Sequence, residues 1–160
     1  MRITIRETKT GADVPAEILT AKEIDTSSDI DEWNFDWLKL CRIKNTHFYK
    51  LTLEKNQELQ GLLLFQILNG NMLEMKDLEI APHNFGSKGK YEKVAGCLIA
   101  FACLKSLELG KDNYKGIVVF DSKTELIDFY QRKYGAKWLG GIKMFIDENM
   151  GGLLIEKYLK

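Results

Sequence analysis

Residues His47 to Glu54 alternate, with Phe48, Lys50 and Thr52 on one side and Tyr49, Leu51 and Leu53 on the other. Alternation of period two predicts a half-buried strand. The turn Lys55-Asn56-Gln57-Glu58 leads into a second apolar run, Leu59 to Leu68, and Asn69-Gly70-Asn71 leads into a third, Met72 to Ile80. An Asn-Gly pair between apolar runs is a hairpin signal, because both residues tolerate the left-handed backbone of a tight turn. The pattern predicts a three-stranded antiparallel meander. Arg2 to Glu7 predicts an earlier strand. The polar stretch from there to Ser28, with Gly11, Pro15 and several acidic residues, predicts loop with a short helix.

Helical spacing appears at Asp31 to Lys44, where Trp33, Trp37, Leu38, Leu40 and Cys41 share a face and Asp29 or Asp31 is available as N-cap. Tyr91 to Leu109 predicts a long apolar helix closed by Gly110. Lys115 to Asp121 predicts a buried strand centred on Ile117 to Phe120, and Lys123 to Lys133 a helix. Lys137 to Asp147 with Leu153 to Leu159 leaves open one or two final strands or a terminal helix. No repeat or linker interrupts the chain. These elements predict a mixed α/β (α+β) fold with a largely antiparallel central sheet flanked by helices, in one domain over residues 1–160.

Composition narrows the function classes. A chain of 160 residues can bury one sizeable core. Its 23 basic and 23 acidic side chains cancel, so no overall field draws it to nucleic acid or to an anionic membrane, and neither is expected as a partner. The longest apolar run, Val94 to Leu104, falls short of the roughly 20 residues that cross a bilayer, and Met1 to Arg6 alternates like a strand, unlike a signal peptide. Cys41, Cys97 and Cys103 are odd in number and lack metal spacing; His47 and His83 are isolated. A reducing cytoplasm is expected, and no metal.

The order of elements around Pro82 carries the chemistry. A strand stops there, a loop containing Gly86-Ser87-Lys88-Gly89-Lys90 follows, and a helix begins. Free backbone N–H groups and the dipole at a helix start attract phosphate, although the same composition also suits a solvated turn.

Three segments resemble the GCN5-related N-acetyltransferase (GNAT) superfamily. Leu78-Glu79-Ile80-Ala81-Pro82 is similar to that family's L-x-V-x-P strand. Lys90-Tyr91-Glu92-Lys93-Val94-Ala95 is similar to its Q/R-x-x-G-x-G/A loop, with Lys90 in place of Gln or Arg and Lys93 in place of the first glycine; an alternative alignment uses Gly86 and Gly89. Phe129-Tyr130 followed by Gly135-Ala136 is similar to a later helix of the family. The resemblance spans roughly residues 50 to 146.

It implies an acetyl-CoA-dependent N-acetyltransferase that moves the acetyl group directly to a primary amine of a small molecule or protein, as a monomer or homodimer. The alternative is an inactive GNAT-fold module that binds acyl-CoA or a protein partner. The resemblance assigns acetyl-CoA, as co-substrate, to Leu78, Glu79 and Ile80 of the strand and to Lys88, Gly89, Lys90, Tyr91, Glu92, Lys93, Val94, Ala95 and Gly96 of the loop and helix start. Lys88, Lys90 and Lys93 would neutralise its phosphates.

Acetyl transfer needs an acceptor for the amine proton and a donor for the departing thiolate. Tyr130 matches the family tyrosine that protonates the thiolate, with Tyr134 as a rival because one extra residue precedes Gly135. Glu74 and Glu79 are the candidate bases, with Asp77 on the same strand. Strand parity places Glu74 with Leu78 and Ile80, and Asp77 with Glu79 on the other face. Glu74 maps onto the basic glutamate of histone-type members; pairing with Lys76 is the competing role. Asp25, Asp29, Asp31, Glu32 and Asp36 suit either a cationic amine or a solvated surface.

Overall fold

A computed structural model describes residues 1–26 and 32–160. The architecture is mixed α/β, with a large, mostly antiparallel sheet flanked by helices. Its strands are β1 (Arg2–Glu7), β2 (Asp13–Thr20), β3 (Thr46–Leu53), β4 (Leu59–Leu68), β5 (Met72–Ile80), β6 (Tyr91–Glu92), β7 (Val118–Asp121), β8 (Lys137–Gly140) and β9 (Lys143–Ile146). The helices are α1 (Trp37–Leu40), α2 (Val94–Leu109), α3 (Ile127–Tyr134) and α4 (Glu148–Leu159). The chain divides into two compact units, residues 1–64 with 77–98, and residues 65–76 with 99–160, so β4, β5 and α2 each contribute to both.

In the first unit the strand order is β6-β1-β2-β3-β4-β5. The meander follows the alternation of the sequence, with Leu51, Leu62 and Leu64 inaccessible. The stretch read as loop contains β2, antiparallel to β1 and β3. Pro15 is tolerated there because, opposite Thr4 of β1, it stands just beyond the end of the ladder to β3, which starts one residue later at Ala16 and Leu53, and its carbonyl still accepts the Glu54 N–H at 3.1 Å. The long helix expected over 31–44 is reduced to the single turn α1, capped by the Asp36 carboxylate, which accepts the Lys39 N–H. Asp29 and Asp31 lie outside the described residues. Trp33, Trp37, Phe48, Leu62 and Leu64 instead form a core cluster in which the Trp37 and Phe48 rings stack at 5.7 Å. Helix α2 begins at Val94, three residues later than expected, because Tyr91 and Glu92 pair with Glu7 and Arg6 of β1. Gly61 of β4 lets α2 approach: a Cβ there would lie 2.8 Å from Leu98 Cδ1 and 3.1 Å from Val94 Cγ1.

In the second unit the order is β4-β5-β7-β9-β8. Strands β5 and β7 are parallel, joining Leu73, Glu74 and Met75 to Val118, Val119 and Phe120. Strands β7, β9 and β8 continue antiparallel. The ambiguous C-terminal segment resolves as the β8–β9 hairpin followed by α4, whose N-cap Asp147 accepts the Met150 N–H at 2.8 Å. Helix α3 ends at Gly135, with φ of 64°, where a Cβ would meet Met150 at 2.5–2.8 Å. Among the described residues no helix is long and apolar enough to cross a membrane.

Candidate active site

The loop between β5 and α2 is built on a buried amide network in the first unit. Gln60 is inaccessible, and its Oε1 accepts from Asn84 Nδ2 at 3.0 Å and lies 2.8 Å from His83 Nε2. Asn84 Oδ1 in turn accepts the Tyr91 N–H at 3.0 Å, and the His83 carbonyl accepts the Lys90 N–H at 2.8 Å. Burial lowers the His83 pKa, so the ring is neutral at physiological pH. Gly89 fills the remaining gap: a Cβ there would sit 2.4 Å from the Asn84 carbonyl oxygen. Neither Gln60 nor Asn84 was among the candidate residues. A lone amide inside the apolar run Leu59 to Leu68 is the signal that marks Gln60, since a buried amide requires partners.

This scaffold sets the start of α2. Lys93 adopts a left-handed backbone, φ of 72°, and its carbonyl accepts the Cys97 N–H at 2.8 Å, making Lys93 the N-cap. The N–H groups of Val94, Ala95 and Gly96 are therefore the first-turn donors without an intrahelical acceptor. The Tyr91 N–H, expected among the free donors, is already given to Asn84, and Tyr91 and Glu92 are engaged with β1. Lys90 Nζ lies 3.7 Å from Glu58 Oε2 and 5.2 Å from the Tyr91 ring centre. Thr8, whose N–H donates to the Lys90 carbonyl at 3.0 Å, has a buried hydroxyl with no hydrogen-bond partner.

The two candidate bases on β5 sit in different surroundings. Glu79 is buried and anchors the segment before α1: Oε2 accepts the Asn34 N–H at 2.7 Å, and Oε1 accepts the Phe35 N–H at 2.9 Å and Trp37 Nε1–H at 3.2 Å. Glu74 is half-buried, and Oε1 accepts from Gln66 Nε2 at 2.7 Å. Lys76 Nζ and Lys143 Nζ each stand 4.0 Å from its carboxylate. Lys143 is held mainly by Asp121 at 2.6 Å, and that hydrogen bond raises the lysine pKa.

Tyr130 lies on α3, its ring edge-on to Phe120 at 5.1 Å and to Phe129 at 5.6 Å. Burial raises its pKa above the ordinary phenol value, and among the described residues no group hydrogen-bonds its hydroxyl. Tyr134, the rival, is buried, its ring edge-on to Phe129 and tilted against Tyr130 and Tyr158. The buried thiols of Cys97 and Cys103 are pushed up to about 12, far from nucleophilic. Among the described residues no cluster of three or more His, Cys, Asp or Glu suits a metal.

No protein-family model matches the chain, and no curated protein matches it in sequence. Solved structures do match in fold. AtaTR bound with AcCoA superposes with a TM-score of 0.61 at 15% identity, covering 88% of this chain and 98% of that one. Ard1 from Thermoplasma volcanium gives 0.58 at 13%, covering 82% and 96%. A chimera of spermidine N-acetyltransferase SpeG from Vibrio cholerae and hSSAT gives 0.57 at 13%, covering 85% and 97%.

Proposed function

The chain has the fold of the GCN5-related N-acetyltransferase superfamily, and on that premise we propose that it transfers the acetyl group of acetyl-CoA directly to a primary amine of a small molecule or protein. The observation that carries this reading is the start of α2, where the left-handed Lys93 opens three consecutive N–H donors. A pyrophosphate bound there meets aligned donors and the positive end of the helix dipole. The Lys88, Lys90 and Lys93 ammonium groups add charge. Tyr91 and Glu92 act by fixing the loop on β1, and Gly89 by allowing its closure on Asn84. The backbone of Leu78 to Ile80 borders the acyl arm.

In this mechanism the neutral amine attacks the thioester carbonyl, the C–N bond forms, and the C–S bond breaks as the tetrahedral intermediate collapses. The proton lost by nitrogen goes to Glu74, directly or through water, and the departing thiolate takes the Tyr130 phenol proton. A raised pKa keeps that phenol protonated at neutral pH, as a general acid must be. Glu79, with three N–H donors on its two oxygens, positions the 34–37 segment rather than accepting protons.

Thermal unfolding with acetyl-CoA, coenzyme A and ATP tests the binding, since a ligand of the folded state alone raises Tm. A shift with acetyl-CoA and coenzyme A but not ATP supports the seat; no shift at millimolar ligand removes it. The chemistry is tested by Tyr130→Phe and Glu74→Gln in an amine screen, each expected to lower kcat by about 10²-fold or more with acetyl-CoA affinity intact. The second reading, a binding module without turnover, is favoured by the cations and amide around Glu74. It predicts the same thermal shift and no acetylated product from any amine.

A further inference from the structure

The Glu74 carboxylate of the second unit stands between two cations that proton acceptance alone does not require. Glu74 and Lys76 are two residues apart on β5 and share a face, and Lys76 Nζ lies 4.0 Å from Glu74 Oε1. Lys143 of β9 lies 4.0 Å from Oε2. That second cation is already committed: Lys143 faces Asp121 across the β7–β9 ladder and bonds its carboxylate at 2.6 Å. Lys76 has no such partner. Among the described residues its one carboxylate contact is the 4.0 Å approach to Glu74, at the outer limit of an ion pair. Oε1 accepts from Gln66 Nε2 at 2.7 Å, whereas among the described residues no hydrogen bond reaches Oε2. The cluster therefore offers a free acceptor and a free ammonium side by side, with 31% of the Lys76 side chain open to solvent.

We propose that the acceptor is a free α-amino acid, its amine donating to Glu74 Oε2 and its carboxylate held by Lys76. This rests on the acetyl-transfer reading above and names the substrate class of that site. The spacing fits: standard bond lengths put the nitrogen of an α-amino acid roughly 2.7–3.6 Å from its own carboxylate oxygens, which matches a carboxylate and an ammonium 4.0 Å apart. Two ammonium groups beside the bound nitrogen also disfavour its protonated form, which cannot attack a thioester. A polyamine meets the opposite situation, because its second ammonium finds Lys76 and Lys143 and, within this cluster, no carboxylate without a lysine beside it. A peptide N-terminus supplies the amine but carries an amide where Lys76 calls for an anion. The products are the N-acetylamino acid and coenzyme A: the C–N bond forms, the C–S bond breaks, the proton on nitrogen passes to Glu74 and the thiolate takes the Tyr130 proton.

Thiol release from acetyl-CoA by the full chain tests this with four acceptor pools: free L-amino acids, the same amino acids as carboxamides, putrescine with spermidine, and a tryptic peptide digest. The best free acid and its carboxamide are then compared singly. The expected kcat/KM favours the acid by about tenfold or more, the worth of a charged hydrogen bond. Lys76→Ala should raise KM for the acid by a similar factor and leave the carboxamide unchanged, and Lys76→Arg should restore the preference. Equal losses on acid and carboxamide would make Lys76 a structural residue and overturn the assignment. So would a parent protein that turns over carboxamides, polyamines or peptides as fast as free acids, although acetyl transfer itself would then stand. No thiol from any pool, with the acetyl-CoA thermal shift intact, removes transfer to amines and the amino-acid acceptor together. The Tm of each variant establishes that it folds.

Discussion

Replacing Lys93 with glycine removes a conformational cost the native loop carries. At φ of 72° the Lys93 Cβ crowds its backbone, and the left-handed region costs a non-glycine residue about 1–2 kcal/mol. Glycine avoids that cost but gives the unfolded chain more freedom, which takes back about 0.4–1 kcal/mol. The net expectation is stabilisation by about 0.5–1 kcal/mol, or roughly 1–4 °C in Tm for a chain of this size. Lys93 also places a positive charge at a helix N-terminus, an arrangement unfavourable by a few tenths of a kcal/mol. Lys93→Ala separates the two effects, since it removes the charge while keeping the Cβ. Urea unfolding of the three proteins should rank glycine above alanine by about 1 kcal/mol, because only glycine relieves the backbone. Equal stability of the glycine and alanine variants, or a glycine variant less stable than the parent, would refute the strain. Acetyl-CoA titration of the same set reads the lysine charge separately: both variants lose its contribution to binding, while the N–H donors of Val94 to Gly96 remain.

Glu79→Gln places an amide NH2 among the Asn34, Phe35 and Trp37 donors, and urea unfolding should show a loss of about 2–3 kcal/mol; a loss below about 0.5 would mean the anchor is replaceable. Gly89→Ala drives a Cβ into the Asn84 backbone and should cost about 2 kcal/mol or more together with the acetyl-CoA thermal shift, whereas Gly152→Ala, in α4 with nothing within 4 Å, should gain up to about 1 kcal/mol. The folded state holds the protons of Cys97, Cys103 and Tyr130 more tightly than the unfolded chain does. The stability from keeping them neutral is complete below the ordinary thiol value of 9.0 and is lost as pH rises through about 12, so unfolding free energies should fall over that window. Cys97→Ala should flatten the fall, and a profile identical to the parent's would show that the thiol does not contribute.

The meander was legible because alternation and the Asn-Gly turn are local signals, and they mark β3, β4 and β5 almost to the residue. The segment 31–44 was read as a helix from its apolar spacing, and the structure shows what overrides that spacing. The N–H groups of Asn34 and Phe35 are taken by a carboxylate on β5, so helical bonding starts only at Asp36. No sequence pattern reveals a partner forty-odd positions away. Strand β2 was hidden by Pro15, whose fit depends on which neighbour it faces. The start of α2 was misplaced because the break falls on a left-handed lysine, where a glycine would have announced it. Order and type of elements were readable across the candidate site, while its second layer, Gln60 with Asn84 and Glu79 with the 34–37 backbone, depended on tertiary contacts.

The parallel pairing of β5 with β7 also bears on how fast the chain reaches its native state. The β1–β2 and β8–β9 ladders close over short turns, but Met75 meets Phe120 only after α2 and its flanking loops have been laid down between them. Closing a loop of about 45 residues costs roughly 2 kcal/mol more chain entropy than closing a four-residue turn. That difference slows a barrier crossing by about thirtyfold. The hairpins therefore have time to form and dissolve many times before β7 docks, and mutations at Leu73, Met75, Val118 or Phe120 should slow refolding more than equally destabilising changes in the β1–β2 hairpin.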